Sequence, residues 1–376
     1  MNQPSIDVDY LVAQLKALLS IDSPTGYTDN AVRYCSRELE RLGLKPELTR
    51  RGAIRAVSQG GRREGARAIV SHIDTLGAQV TAIKPNGRLA LAPIGHWSAR
   101  FAEGARVTIY GYENILRGTI LPLKASGHTH NEEVDTQPTG WDFVELRIDA
   151  RTMSAEETTA LGIEVGDIVA VDPQPEFLDS GFINSRHLDD KAGVAIMLAA
   201  IEALERSHAV APVDVHWLFT IAEEVGVGAS SVIMPDIASL VAVDNGTSAP
   251  GQNSSEFGVT ICMADQSGPF DYHLTRKLVE LCRDNGIDCR KDVFRHYRSD
   301  SASALEAGHD IRTALVTFGI DASHGYERIH LDALRSVSEL LTRYVTSRVE
   351  IASDAEEFSD VRSFTRQPAP NTQPKP

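Results

Sequence analysis

Residues 182–207 read FINSRHLDDKAGVAIMLAAIEALERS: a short apolar run, two aspartates, then a long segment with a nearly continuous apolar face. The first part reads as a buried strand, and the second as a helix packed deep against a sheet. The junction between them delivers Asp189. Four other runs share the habit: ARAIVSHID (66–74), VHWLFTIAEE (215–224), LVAVDN (240–245) and TALVTFGIDASH (313–324). They deliver His72, Glu223 with Glu224, Asp244 and His324. Short apolar runs set among helical patterns predict buried parallel strands, and ligands gather beyond the carboxyl ends of such strands in open sheets. The expected fold is α/β, with a mixed, largely parallel sheet flanked by helices.

Two imidazoles and four carboxylates meeting at one sheet edge repel and desolvate badly unless a cation lies among them. A pair of divalent ions about 3.5–4 Å apart satisfies them all. Asp189, short and placed at a tight junction, suits the bridge between two ions. His72 and Asp244 then complete one ion, Glu224 and His324 the other. Mixed imidazole and carboxylate ligation suits zinc, cobalt or manganese rather than a thiolate-rich structural site. Asp74, two residues beyond His72, is placed to accept the second N–H of that imidazole. Glu223 is left unligated, to serve as general base for a water bridging the ions and to pass its proton to the leaving nitrogen. The predicted chemistry is hydrolysis of an amide bond.

Between Gly77 and Gly181 the texture changes to short strand-like segments parted by turns such as Pro85-Asn86-Gly87. This predicts a small β-barrel domain inserted into the α/β domain. The expected organisation is catalytic domain over residues 1–76 and 181–350, inserted domain over 77–180, and a polar tail over 351–376, disordered from about Asp354. Thr28 or Asp29 is expected to cap the second N-terminal helix, Ser154 with Glu157 to form a capping box, and residues 126–140 to form an exposed loop.

Composition excludes some partners. The 376 residues carry 37 basic and 52 acidic side chains, a formal charge of −15, which disfavours nucleic acid or an anionic membrane. No apolar stretch approaches the roughly 20 residues of a membrane span, and the N-terminus lacks the pattern of a signal peptide. Cys35, Cys262, Cys282 and Cys289 form no C-x-x-C pair and fit thiols of a reducing cytoplasm. No H-E-x-x-H, P-loop or G-x-S-x-G is present, so zincin, NTPase and serine-hydrolase readings lack an anchor.

The segments SHIDTLG, SRHLDDKAGV, TIAEEVGVGAS, VAVDNG and GIDASHGYE closely resemble the motifs of metallopeptidase family 42, the dinuclear glutamyl and TET-type aminopeptidases. The resemblance implies an α/β catalytic domain interrupted by a β-barrel. Residue by residue it places the bridge on Asp189, the first ion on His72 and Asp244, the second on Glu224 and His324, and the base on Glu223. It also implies a homo-oligomer packed through the inserted domain. Within the family the chain is most similar to a subgroup tied to osmoprotectant production, the N-acetylglutaminylglutamine amide system. That similarity implies a short peptide or an acylated dipeptide as substrate. A deacylase using the same site is the alternative enzyme reading, and a non-catalytic metal-binding scaffold the alternative of another class. Asp300 falls near a substrate-side segment of the family, with a helix cap as the competing reading. Lys191 replaces a commoner arginine. Asp190 reads as a helix cap, His187 as a hydrogen-bonded strand residue, and His128 and His130 as members of the polar loop.

Overall fold

The computed structural model describes residues 3–349 and 351–368. Two helices open the chain, α1 (Val8–Leu19) and α2 (Asp29–Arg41). Asp7 caps α1 by accepting from the Tyr10 amide at 3.0 Å, whereas the Thr28 side chain makes no capping bond to α2. Strands β1 (Glu47–Leu48), β2 (Ile54–Ser58) and β3 (Ala66–His72) follow.

The next six strands close on themselves. They are β4 (Gly77–Ile83), β5 (Leu89–Ile94), β6 (Arg106–Tyr110), β7 (Ile115–Pro122), β8 (Val144–Ile148) and β9 (Ile168–Val171), ordered β4-β5-β8-β7-β6-β9 in an antiparallel barrel. Their alternating residues fill the barrel with an apolar cluster of its own, including Val80, Leu89, Val107, Ile120 and Leu146. Short helices α3 (Gly127–His130), α4 (Glu133–Thr136) and α5 (Ala155–Thr159) decorate it. The stretch read as a loop thus contains two single turns of helix, none of whose residues is buried. Ser154 caps α5 as its spacing predicted, accepting from the Glu157 amide at 3.3 Å.

The remainder runs β10 (Glu176–Phe177), β11 (Phe182–Ser185), α6 (Leu188–Ser207), β12 (Val215–Thr220), β13 (Ile237–Thr247), β14 (Val259–Asp265) and β15 (Gly268–Pro269). Then come α7 (Tyr272–Asn285), β16 (Cys289–Val293), α8 (Asp300–Glu306), β17 (Arg312–Ile320), β18 (Glu327–His330) and α9 (Leu331–Thr346). Among the described residues the main sheet has nine strands in the order β1-β2-β12-β3-β13-β17-β14-β15, with β16 beside β14. Its centre, β12-β3-β13-β17, is parallel throughout, and antiparallel pairs lie to either side. The fold is the mixed, largely parallel α/β sheet with a closed barrel that the residue patterns predict.

Helix α6 packs against β3 and β13, and from Ala192 to Ile201 every residue is buried, a pattern that follows from its unbroken apolar face. Each fully buried side chain such as Ile196, Leu198, Trp217 or Phe219 stabilises the fold by about 1.5–3 kcal/mol relative to exposure. Two expectations about the strands need correction. The run before Asp189 is no part of the parallel sheet: β11 pairs antiparallel with β10 and β18 in a separate three-stranded sheet. Asp244 lies inside β13 rather than at its end, because the strand continues to Thr247. The tail also begins more ordered than its composition suggests, since Asp354 is held by Arg312 through bonds of 2.7 and 3.0 Å. The last part of the tail expected to be disordered, residues 369–376, lies outside the described residues.

Candidate metal centre

The parallel register brings the chemistry to one edge. His72 ends β3 and pairs with Thr220, the last residue of β12, so Glu223 and Glu224 follow in the turn just beyond. Asp244 on β13 stands beside Thr317 of β17, and His324 lies four residues past the end of that strand. Asp189 arrives from the other side, at the start of α6, because β11 pairs with β18 and aligns Ser185 with Glu327.

Asp189 is the hub. Its Oδ1 lies 3.2 Å from His72 Nε2, and its Oδ2 lies 3.2 Å from His324 Nε2. His324 Nε2 is 3.6 Å from Glu224 Oε2, and His72 Nε2 is 3.8 Å from Glu223 Oε2. Ligand atoms of His72, Asp189 and Glu224 lie within 4.8 Å of one another, as do those of His72, Asp190 and Asp244. All seven side chains named for the site in the sequence are therefore gathered at one place, with Asp190 added. Both imidazoles turn Nδ1 to a main-chain carbonyl, His72 to Asp74 at 2.8 Å and His324 to His96 at 2.7 Å. That fixes Nε2 as the nitrogen facing the cluster.

Asp74 does something other than expected. Its carboxylate stands 3.6 Å from His72 Nδ1 and instead accepts from the amides of Glu223 at 3.1 Å and Glu224 at 3.3 Å, and from Thr25 Oγ1 at 2.6 Å. Asp190, expected as a cap, accepts from the His72 amide at 3.2 Å and from Ser71 Oγ. His187 hydrogen-bonds the Val171 carbonyl at 2.9 Å, as a sheet-bound imidazole would, and burial holds its pKa at about 3. His128 and His130 sit on the barrel in α3. Lys191 is buried, donates to the Leu18 carbonyl at 2.9 Å and to that of Ile21, and is lowered to about 8 by desolvation. Asp300 starts α8, yet its carboxylate turns to Thr220 Oγ1 at 2.7 Å, and Ser299 supplies the cap.

Several contributors carried no sequence signal. Asn245 donates to Asp189 Oδ2 at 2.7 Å, Tyr297 donates to the Asn245 carbonyl at 2.8 Å, and Glu327 accepts from the amides of Asp189 and His324. His96 acts through its carbonyl alone, which no side-chain pattern reveals.

The electrostatics call for a cation. Burial, reinforced by neighbouring carboxylates, raises Glu223, Glu224 and Asp190 well above the usual range and lifts Asp244 to about 7. Burial also lifts Glu327 to about 8 and Asp300 to about 6. Burial pulls the two histidines down, but bonding to Asp189 outweighs it, leaving His72 well above its ordinary value and His324 at about 11. Asp189 moves the other way despite its burial, lowered by His324 and His72. Glu224 Oε1 and Asp190 Oδ1 are buried without a hydrogen-bond partner among the described residues. A buried oxygen left unpaired is costly, and hard divalent cations take such oxygens beside imidazole nitrogens. The donor set fits.

The sequence model of the M42 glutamyl aminopeptidases matches residues 52–340, most of the chain. The chain belongs to peptidase family M42. YhfE of Bacillus subtilis (strain 168), provisionally named an aminopeptidase, is 37% identical over 334 residues, covering 89% of this chain and 96% of its own length. Among solved structures, a TET aminopeptidase from a marine-sediment Thaumarchaeota archaeon superposes with a TM-score of 0.82 at 17% identity, over 92% of this chain and 98% of that one. The TET1 peptidase of Pyrococcus horikoshii, which assembles into a tetrahedron or a large octahedral shell, gives 0.78 at 23% identity, over 90% and 100%. These two likenesses concern the fold. Family membership makes the chain an M42 peptidase of the aminopeptidase class, with His, Asp and Glu side chains positioned for a metal site.

Proposed function

We propose that the protein is a dinuclear aminopeptidase that removes residues from short peptides, with Asp189 bridging two divalent ions. The observation that carries this reading is the Asp189 carboxylate, whose two oxygens each lie 3.2 Å from a different imidazole, Oδ1 from His72 and Oδ2 from His324. His72 and Asp244 would hold one ion and Glu224 and His324 the other, with zinc the best match to the donors and cobalt or manganese acceptable substitutes. Bound divalent ions polarise a scissile carbonyl and lower the pKa of water.

The chain's own residues supply the rest. Glu223, partly open to the cleft, takes the proton from the attacking water on its carboxylate and delivers it to the leaving nitrogen. Asp74 fixes that base by binding the amides of Glu223 and Glu224. Leu76, Trp97 and Val171 line the small apolar side of the cavity beside Asp189 and His324. A homo-oligomer built through the barrel and a cytoplasmic setting complete the proposal; the free cysteines accord with the latter.

A panel of aminoacyl and N-acyl amides, run on metal-loaded wild type and Glu223→Gln, tests this reading. Turnover of free-amine substrates by wild type, and its loss by about 10²–10⁴-fold in the variant with both ions retained, is expected. Near-normal rates in Glu223→Gln overturn the assignment of the base. Preference for N-acyl substrates points instead to the deacylase expected of the osmoprotectant-linked subgroup.

A further inference from the structure

The second imidazole of the centre sits in an uncomfortable place. His324 adopts φ +64°, and Ala322 two residues earlier φ +56°, both in the left-handed region that costs a residue with a β-carbon. Such a conformation persists only where its surroundings impose it. The loop containing it joins β17 to β18 and is pinned at its ends by the Asp321–Arg328 pair, but contacts of the His324 ring to Asp189, Glu224 and the His96 carbonyl do not hold the His324 main chain itself. Asp189 has a related need, because it lies in the first turn of α6, where a main-chain N–H has no intrahelical acceptor.

Both amides go to the same group. Glu327 Oε1 accepts from the His324 amide at 2.9 Å, and Glu327 Oε2 from the Asp189 amide at 3.2 Å. Glu327 is only 1% exposed and begins β18, which aligns it with Ser185, four residues before Asp189. The hydrogen bonds of its side chain are to these two main-chain donors, with the Arg186 guanidinium near enough to be felt electrostatically. A carboxylate accepts two N–H bonds strongly and in fixed directions.

We infer that Glu327 is a positioning residue that sets the separation of Asp189 and His324, and thereby the affinity of the centre for its second ion. Its carboxylate oxygens go to main-chain amides, so it acts through the two ligands it holds. Its two oxygens tie the backbone of the bridging ligand to the backbone of a ligand on a strained loop, so that both side chains present lone pairs to one point before any ion arrives. This inference rests on the metal-centre reading and goes beyond it, because it assigns a function to a side chain outside the ligand set.

The test is divalent affinity, measured by competition between full-length metal-free protein and a chromophoric chelator for cobalt, with the visible spectrum of the cobalt-loaded protein recorded alongside. Glu327→Gln keeps the length but offers an NH₂ to one of the two amides. The expected result is a loss of affinity of about 10–100-fold for the weaker-held cobalt, the usual effect of removing an outer-shell partner, with an altered cobalt spectrum in protein that remains folded by circular dichroism. Should Glu327→Gln fail to fold, Glu327→Asp, which keeps both acceptors but cannot span the two amides, decides with the same readouts. Wild-type affinity and an unchanged spectrum in a folded variant overturn the inference. Asp189→Asn separates the two levels: if it too binds cobalt like wild type, the metal-centre reading fails, whereas loss there with wild-type behaviour at Glu327 refutes the positioning role alone.

Discussion

At Asp74 one carboxylate serves three donors at once: the Glu223 and Glu224 amides and the Thr25 hydroxyl. An asparagine there retains only one acceptor oxygen and turns its NH₂ toward a main-chain N–H. The turn bearing the base then loosens while His72 still has the Asp74 carbonyl to hold its ring. Asp74→Asn is therefore expected to lower kcat by about 10–100-fold with little change in KM. Steady-state kinetics check this, and a raised KM at unchanged kcat contradicts it. The same residue shows what a sequence yields at this scale. The spacing of His72 and Asp74 identified both residues. The atom that orients the imidazole, a backbone carbonyl, could not be identified, because main-chain acceptors are present at every position. Asp190 reads as a cap for a related reason: Asp before a helix is the ordinary capping pattern, and only the tertiary fold turns this one toward Ser71 and the His72 amide.

Among elements, the barrel is more than an appendage. The segment between β5 and the Trp97 region reaches over the centre, where the His96 carbonyl holds His324 Nδ1 and Trp97 Nε1 bonds the Gly77 carbonyl at 2.9 Å. Gly95 permits that approach. Its φ is +81°, and a β-carbon there would lie 2.5 Å from Leu76 Cδ2 and 3.5 Å from Glu224 Cβ. Gly95→Ala should displace the His96 carbonyl and weaken divalent binding by roughly tenfold, comparable to the loss of an outer-shell partner. Calorimetric titration with zinc checks it, and unchanged affinity would show that the barrel does not orient His324. The strands β3, β12, β13 and β17 were legible because each is an unbroken apolar run buried on both faces. The setting of β11 is not legible, because the four residues FINS look alike in a parallel or an antiparallel sheet and pairing with the distant β18 is invisible to local pattern.

Across the whole molecule, a cluster of buried acids couples folding to pH. Asp300, Asp244 and Glu327 are raised to about 6, 7 and 8, chiefly by burial. An acid raised in this way binds its proton more tightly when folded. Its contribution to stability is present below the unfolded value near 4 and is lost as pH rises through the folded value. His324, raised to about 11, has the same sign above its ordinary value near 6.5, while the lowered Asp189 acts only at the acid end. Metal-free protein should therefore lose thermal stability between about pH 5 and pH 8, and added zinc should raise Tm most at the upper end, since bound ions favour the ionised carboxylates. Melting curves with and without chelator across that range check the sign; a zinc effect that is largest at pH 5 contradicts it.

The most direct measurement is an anomalous difference map from crystals grown with zinc, collected at the zinc edge. Two peaks about 3.5–4 Å apart, one between Asp189 and His72 and one between Asp189 and His324, are predicted. A map with no peak touching Asp189, in protein whose His72 and His324 are well ordered, would contradict the proposed centre outright.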